Sequence, residues 1–258
     1  MRTPVEGLDV PAQVLVTGAS SGIGLAMVEA LLDNDGVAGV CAVSRHALAS
    51  PALQALAAGH PGRLQRIDDD LATDAGIEAV AAGASQVTDV LHVVVNGAGL
   101  LHGDAVHPEK SLATLDRAAL EQVFALNAFA PILLARALLP LLDARSRCVV
   151  ASLSARVGSI GDNRLGGWYA YRASKAAQNQ LLRTLSIELR RSHPLATCVL
   201  LHPGTVDTPL SRPFQSRVPA EALFTPARAA RQLLDIIAGL QPRDSGRFIA
   251  WDGTDVPW

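Results

Sequence analysis

Short apolar runs alternate with longer stretches of mixed polarity along the whole chain. Seven runs read as strands: Gln13–Thr17, Val37–Ser44, Leu64–Ile67, Leu91–Asn96, Arg147–Ser152, Ala196–His202 and Arg247–Ala250. Several are continuous and rich in valine, as in strands covered on both faces. Between them lie helical patterns at Ile23–Asp33, Asp74–Gly83, Arg117–Asp143, Tyr169–Arg191 and Pro226–Leu240. This alternation predicts an α/β fold with a doubly wound, mainly parallel seven-stranded sheet, right-handed crossovers and helices on both faces. No internal repeat or low-complexity linker divides the chain, so a single domain over residues 1–258 is expected. The Pro- and Arg-bearing stretch Thr208–Pro219 interrupts the pattern late and reads as a loop or lid.

Composition narrows the function classes. A chain of 258 residues that is 49% hydrophobic but only 4% aromatic builds its core from Ala, Val, Leu and Ile. Its net charge of −2 gives no electrostatic footprint for nucleic acid or an anionic membrane. Arginine outnumbers lysine twenty to two, and the arginines are scattered. No uncharged apolar stretch reaches membrane-spanning length, and no secretory signal pattern opens the chain. Cys41, Cys148 and Cys198 each sit in an apolar strand-like run and read as buried free thiols, which suits a reducing, cytoplasmic location. His102, His107 and His202 lack metal-ligand spacing with one another, so no metal is expected, although His102 is placed to touch a substrate.

The first strand leads into Thr17-Gly-Ala-Ser-Ser-Gly-Ile-Gly24, followed by a helix. Gly18, Gly22 and Gly24 permit a tight turn and close approach of backbone to a pyrophosphate. Ser20, Ser21 and Ile23 lie in the same turn, and the helix N-terminus offers free N–H groups to the anion. Opening the first strand–turn–helix unit, this is a credible dinucleotide site. The end of the second strand carries no carboxylate for ribose hydroxyls. It reads Ser44-Arg45, and Arg45 suits a 2′-phosphate with Ser20 or Ser44 assisting, which favours NADPH/NADP+ over NADH/NAD+. Asp70, after the third strand, is a candidate acceptor for the adenine amino group, with Asp68 and Asp69 as competitors.

The chain has only two tyrosines and two lysines, and one of each forms Tyr171-Arg-Ala-Ser-Lys175. Four residues apart on a helix, they share one face. A phenol beside an ammonium group is a proton donor that can be tuned toward neutral pH. Tyr169 has Ala173 at the equivalent position and lacks that partner.

Together, TGASSGIG (17–24), NGAG (96–99), Asn127 in FALNAFAP, Ser154 in ASLSARVG, YRASK (171–175) and HPGTVDT (202–208) resemble the short-chain dehydrogenase/reductase family over nearly the whole chain. PEKSL (108–112), YRASKAAQN (171–179) and the ending FIAWDGTDVPW are similar to its C-factor-like and carbonyl-reductase-like members. The resemblance implies a Rossmann fold and a catalytic tetrad at Asn127, Ser154, Tyr171 and Lys175. Tyr171 would protonate a carbonyl oxygen. Lys175, cationic, would depress the tyrosine pKa and bind the nicotinamide ribose. Ser154 would bond the substrate oxygen, and is preferred to Ser152, which is still on the strand. Asn127 would hold a water linking Lys175 to solvent. Asn96, Gly97, Ala98 and Gly99 would approach the cofactor, and Pro203, Gly204, Thr205, Val206 and Thr208 would meet the nicotinamide side. The family usually has Asn where this chain has Gly97, so a less constrained backbone is expected there. Leu100, Trp168, Phe214 and the Thr208–Pro219 loop would border an apolar substrate pocket.

These features imply an NADPH-dependent carbonyl reductase acting on an aldehyde or ketone. The alternatives are an NAD-dependent alcohol dehydrogenase and a nucleotide-sensing signalling protein. A homodimer or homotetramer through the Arg117–Asp143 and Tyr169–Arg191 helices is the implied assembly.

Overall fold

A computed structural model of the chain describes residues 3–258. Strand β1 (Ala12–Thr17) shows how the apolar runs are used. Val14 and Val16 enter one core layer while Leu15 enters the other, so both faces of the strand are buried. The same holds for β2 (Val37–Ser44), β4 (Val93–Asn96), β5 (Cys148–Leu153) and β6 (Ala196–His202). With β3 (Leu64–Asp68) and the late strand Phe248–Ala250 they form the expected seven-stranded sheet. All its ladders are parallel.

Helices cover both faces. α1 (Gly22–Leu32), α2 (Pro51–Gly59) and the helix Pro226–Gly239 feed one layer through Met27, Leu31, Leu53, Leu233 and Ile237. α3 (Asp74–Ser85), α5 (Ala130–Leu138) and α6 (Tyr169–Ser192) feed the other through Ile77, Val80, Leu134, Leu138, Leu182 and Leu189. Burying one such Leu or Ile side chain is worth about 1.5–3 kcal/mol before entropy is counted.

In spatial order the sheet runs β3-β2-β1-β4-β5-β6, then Phe248–Ala250. The chain reverses its direction of travel between β1 and β4. Loops leaving the C-terminal ends of these two strands diverge there and open a crevice, the usual ligand position in such sheets.

Two features differ from the sequence pattern. α2 was not predicted; only Leu53 of this helix is fully buried, so its apolar periodicity is faint. The single helix expected over 117–143 is broken into α4 (Arg117–Phe124), a π segment (Ala125–Phe129) and α5. Pro131 has no N–H to donate to Asn127 and its ring crowds that carbonyl, so the turn widens and the Ala130 N–H bonds Ala125 instead. The run Arg117–Leu141 is long and apolar enough to cross a membrane by length and composition. Here α5 packs against α3 and α6, which accounts for its apolar face.

Candidate active site

The crevice is a cleft of about 420 Å3 at the C-terminal ends of β1 and β4. Its floor is the glycine turn. A Cβ at Gly18 would lie 2.8–2.9 Å from the Gly97–Ala98 backbone, and Gly22 has φ +56° with Thr208 Cγ2 3.0 Å from where its Cβ would be. Only glycine keeps these surfaces open. α1 begins at Ser21 with no side-chain cap bond and no acidic residue in its first turn. Its first N–H groups and dipole are therefore available to an anion, and the cradle fits a dinucleotide pyrophosphate. Ser44, Arg45 and Asp70 line the cleft as expected. Asp69 lines it too, with an oxygen accepting from Asp70 N, whereas Asp68 is turned to Leu48 N and takes no part.

At the other end, Tyr171 and Lys175 lie on α6, with the Lys175 Nζ 5.9 Å from the phenol ring centroid. Ser154 follows directly on β5, buried, and donates to Asn179 Oδ1 at 2.6 Å. Ser152 lies on the strand itself, buried and without a hydrogen-bond partner among the described residues. Lys175 Nζ donates to Leu153 O (2.8 Å) and Gln178 Oε1 (3.0 Å). Both acceptors are neutral, so burial dominates. It pulls the lysine down to about 7 and pushes Tyr171 up to about 12. Burial thus acts against the expected depression of the phenol by a cationic lysine.

A profile of the family described as short chain dehydrogenase matches residues 12–218. The chain belongs to the short-chain dehydrogenase family. Among its relatives, 1-hydroxy-2-glutathionyl-2-methyl-3-butene dehydrogenase of Rhodococcus sp. (strain AD45) is 33% identical over 95% of this chain and 99% of its own. C-signal of Myxococcus xanthus is 38% identical over 57% of this chain and 84% of its own. The NADPH-bound carbonyl reductase from chicken fatty liver superposes with TM-score 0.85 at 31% identity, covering 97% of this chain and all of that one. This short-chain dehydrogenase is thus an oxidoreductase with carbonyl reductases among its structural neighbours.

Within the family site, the side-chain amide of Asn127 is fully engaged. Its side-chain Oδ1 accepts from Leu100 N (2.7 Å), and its Nδ2 donates to Leu100 O (2.8 Å) and to Ser174 Oγ (3.1 Å). The amide thus pins the loop after β4 and does not touch Lys175. Gly99 lies between them: its Cβ would be 3.5 Å from Asn127 Oδ1 and 3.9 Å from Lys175 Nζ.

Gly97 is not loose. Its N–H and that of Ala98 both donate to Thr17 Oγ1, at 3.1 and 3.2 Å, and a Cβ there would sit 2.7 Å from Thr17 O. Glycine here allows a close approach of the β1 and β4 ends.

Four other expected contacts fall outside the cleft. Asn96 is buried behind it, its Nδ2 unpaired among the described residues. Val206 belongs to the short strand β7 (Thr205–Val206), which pairs with β8 (Leu223–Phe224), and packs into a small core. Gly204 and Thr205 line a separate hollow with His202 and Trp251. The positive φ of Gly204 carries the chain round the Phe224 and Trp251 rings, turning these residues away. Pro203 and Thr208 do face the cleft.

Of the expected substrate border, Leu100 lines the cleft with His102, Pro209 and Leu210. Trp168 and Phe214 do not. They complete a series of edge-on rings from His102 to Phe214 (5.7 Å), Trp168 (4.9 Å) and Tyr171 (6.3 Å). His46 and Leu126 line the cleft without having been singled out; the proximity of His46 to Arg45 in sequence was the only signal for it.

Proposed function

We propose that the whole chain acts as one NAD(P)-binding domain that reduces an aldehyde or ketone to an alcohol, with NADPH as cofactor. The observation that carries this reading is the meeting of Ser154, Tyr171 and Lys175 at one end of a glycine-floored cleft whose other end carries Arg45. NADPH bound there would supply the hydride. Gly18, Gly22 and Gly24 would hold its pyrophosphate, with Ser44 and Arg45 at the 2′-phosphate. Comparison with the NADPH-bound chicken enzyme supports this choice.

The protein's own groups then do the remaining work. Tyr171 donates its proton to the carbonyl oxygen as charge develops there. A phenol held well above its ordinary pKa by burial is fully protonated at neutral pH, the form that reduction needs. Ser154 turns its hydroxyl from Asn179 to the substrate oxygen and stabilises the developing charge. The tyrosinate left behind takes a proton from protonated Lys175, whose pKa burial lowers, and Lys175 in turn takes one from water. Asn127 holds the loop carrying Gly99 and Leu100 against this machinery. Assembly as a homodimer or homotetramer and a cytoplasmic location belong to the same reading.

The test is NADPH consumption against a panel of aldehydes and ketones. Wild type is expected to turn over apolar members of the panel, and Tyr171→Phe to lose at least about a hundredfold in kcat. Equal activity of the two proteins would remove Tyr171 as the acid.

A further inference from the structure

The string PEKSL contains a buried acid that the site described above does not use. Glu109 is 3% exposed and lies in the loop between β4 and α4. Its main-chain carbonyl accepts from Trp168 N at 2.6 Å, and its carboxylate Oε2 accepts from Ala170 N at 3.2 Å. One residue thus holds both the N-cap of α6 and its first turn. The cap needs outside help because Trp168 supplies no side-chain capping bond.

Gly166, Gly167 and Trp168 are three successive residues with φ near +60° (63°, 65° and 52°). Trp168 is the only non-glycine residue with positive φ among the described residues. A tryptophan keeps that conformation only when its surroundings impose it. The imposing groups are Glu109 and Arg172, whose Nε donates to Gly166 O (3.2 Å) and Gly167 O (3.0 Å) and whose Nη1 donates to Val157 O (3.3 Å). The Trp168 ring is thereby set edge-on against the Tyr171 phenol and against Phe214 of the late loop.

We propose that Glu109 is a positioning residue for Tyr171, fixing the Trp168 ring that braces the phenol and ties the late loop to α6. The proposal rests on the reading that Tyr171 is the acid. Glu109 touches no reacting atom and acts only through Trp168 and the start of α6.

The experiment compares full-length wild type with Glu109→Ala, Glu109→Gln, Trp168→Ala and the Glu109→Ala/Trp168→Ala double variant, using NADPH and an aldehyde that wild type reduces. Glu109→Ala and Trp168→Ala are each expected to lower kcat by roughly tenfold to a hundredfold, the scale of a small misplacement of a catalytic group. NADPH affinity, measured by titration, is expected to stay within about twofold because both residues are outside the cleft. Glu109→Gln keeps an acceptor for Ala170 N and is expected to restore kcat. The double variant is expected to be no slower than the slower single one, since both substitutions break one brace. Losses that multiply in the double variant, or a Glu109→Gln as slow as Glu109→Ala, would overturn the proposal. Should Glu109→Ala fail to fold, Glu109→Gln and Trp168→Ala still decide: the former must match wild type and the latter must not.

If wild type reduces nothing in the carbonyl panel, the functional reading fails by itself. The brace is then tested by emission from Trp168 in a Trp251→Phe/Trp258→Phe background. Acrylamide quenching is expected to rise with Glu109→Ala and not with Glu109→Gln; unchanged quenching in Glu109→Ala overturns the brace.

Discussion

Replacing Lys175 with methionine should remove a pH dependence of stability along with the activity. Lys175 is 3% exposed, and burial holds it near 7 against 10.5 for an ordinary lysine. A base whose folded pKa is depressed binds more protons when unfolded. Stability therefore rises with pH between the folded and unfolded values and is flat below the folded one. With 7 and 10.5 as the two limits, this one group should add about 2 kcal/mol between pH 7 and pH 9 at 1.36 kcal/mol per unit, less the rounding near the folded pKa.

Other groups titrate in the unfolded chain over the same range, including the three cysteines, so the useful quantity is the difference between proteins. Urea unfolding of wild type and Lys175→Met at pH 7, 8 and 9, at constant ionic strength, gives it directly. Any advantage of the variant at pH 7 should shrink by about 2 kcal/mol at pH 9, with equal m-values. A difference that stays the same across the three pH values would mean that Lys175 is not dehydrated in the folded protein. The account of the site's electrostatics would then be wrong.

Two further substitutions test the cofactor end and the packing behind the lysine. Arg45→Ala should weaken NADPH binding by about 1.5–3 kcal/mol, the scale of a hydrogen bond to a charged group, and leave NADH binding nearly unchanged; equal affinity of wild type and variant for NADPH in a fluorescence titration would withdraw the 2′-phosphate assignment. At Gly158 a new Cβ would lie 2.7 Å from Lys175 Cβ and 3.0 Å from its carbonyl carbon. Gly158→Ala must push α6 outward, and should cost about 1–3 kcal/mol in urea unfolding with a larger fractional loss in kcat than in NADPH affinity.

The strands were legible because they are buried on both faces: Val37–Ser44 and Ala196–His202 have the limits that their apolar runs suggest. The glycine turn and the Tyr171–Lys175 pair were equally plain, since spacing along one turn and one helix brings their groups together. What sequence could not carry was competition between neighbours. The Asn127 amide is taken up by Leu100, and burial among the neutral acceptors Leu153 O and Gln178 Oε1 lowers the Lys175 pKa. Pro131 was a visible warning that the long 117–143 pattern would break, because a proline inside such a run removes a helical bond. The family resemblance implied that Thr205 and Val206 meet the nicotinamide side of the cleft. The turn at Gly204, forced by the rings of Phe224 and Trp251, sends them elsewhere, and that depends on residues far along the chain.

The three thiols described by their strands carry a practical consequence. Cys41 sits in β2, Cys148 in β5 and Cys198 in β6, all buried, and burial raises them to about 11, 11 and 12. A thiol that is both inaccessible and protonated does not react until its strand is exposed. The sheet therefore carries native reporters on both sides of its switch point. Labelling rates at Cys41 would clock the opening of the β1–β3 half, and those at Cys148 and Cys198 the other. Equal rates would mean that the two halves come apart as one cooperative unit.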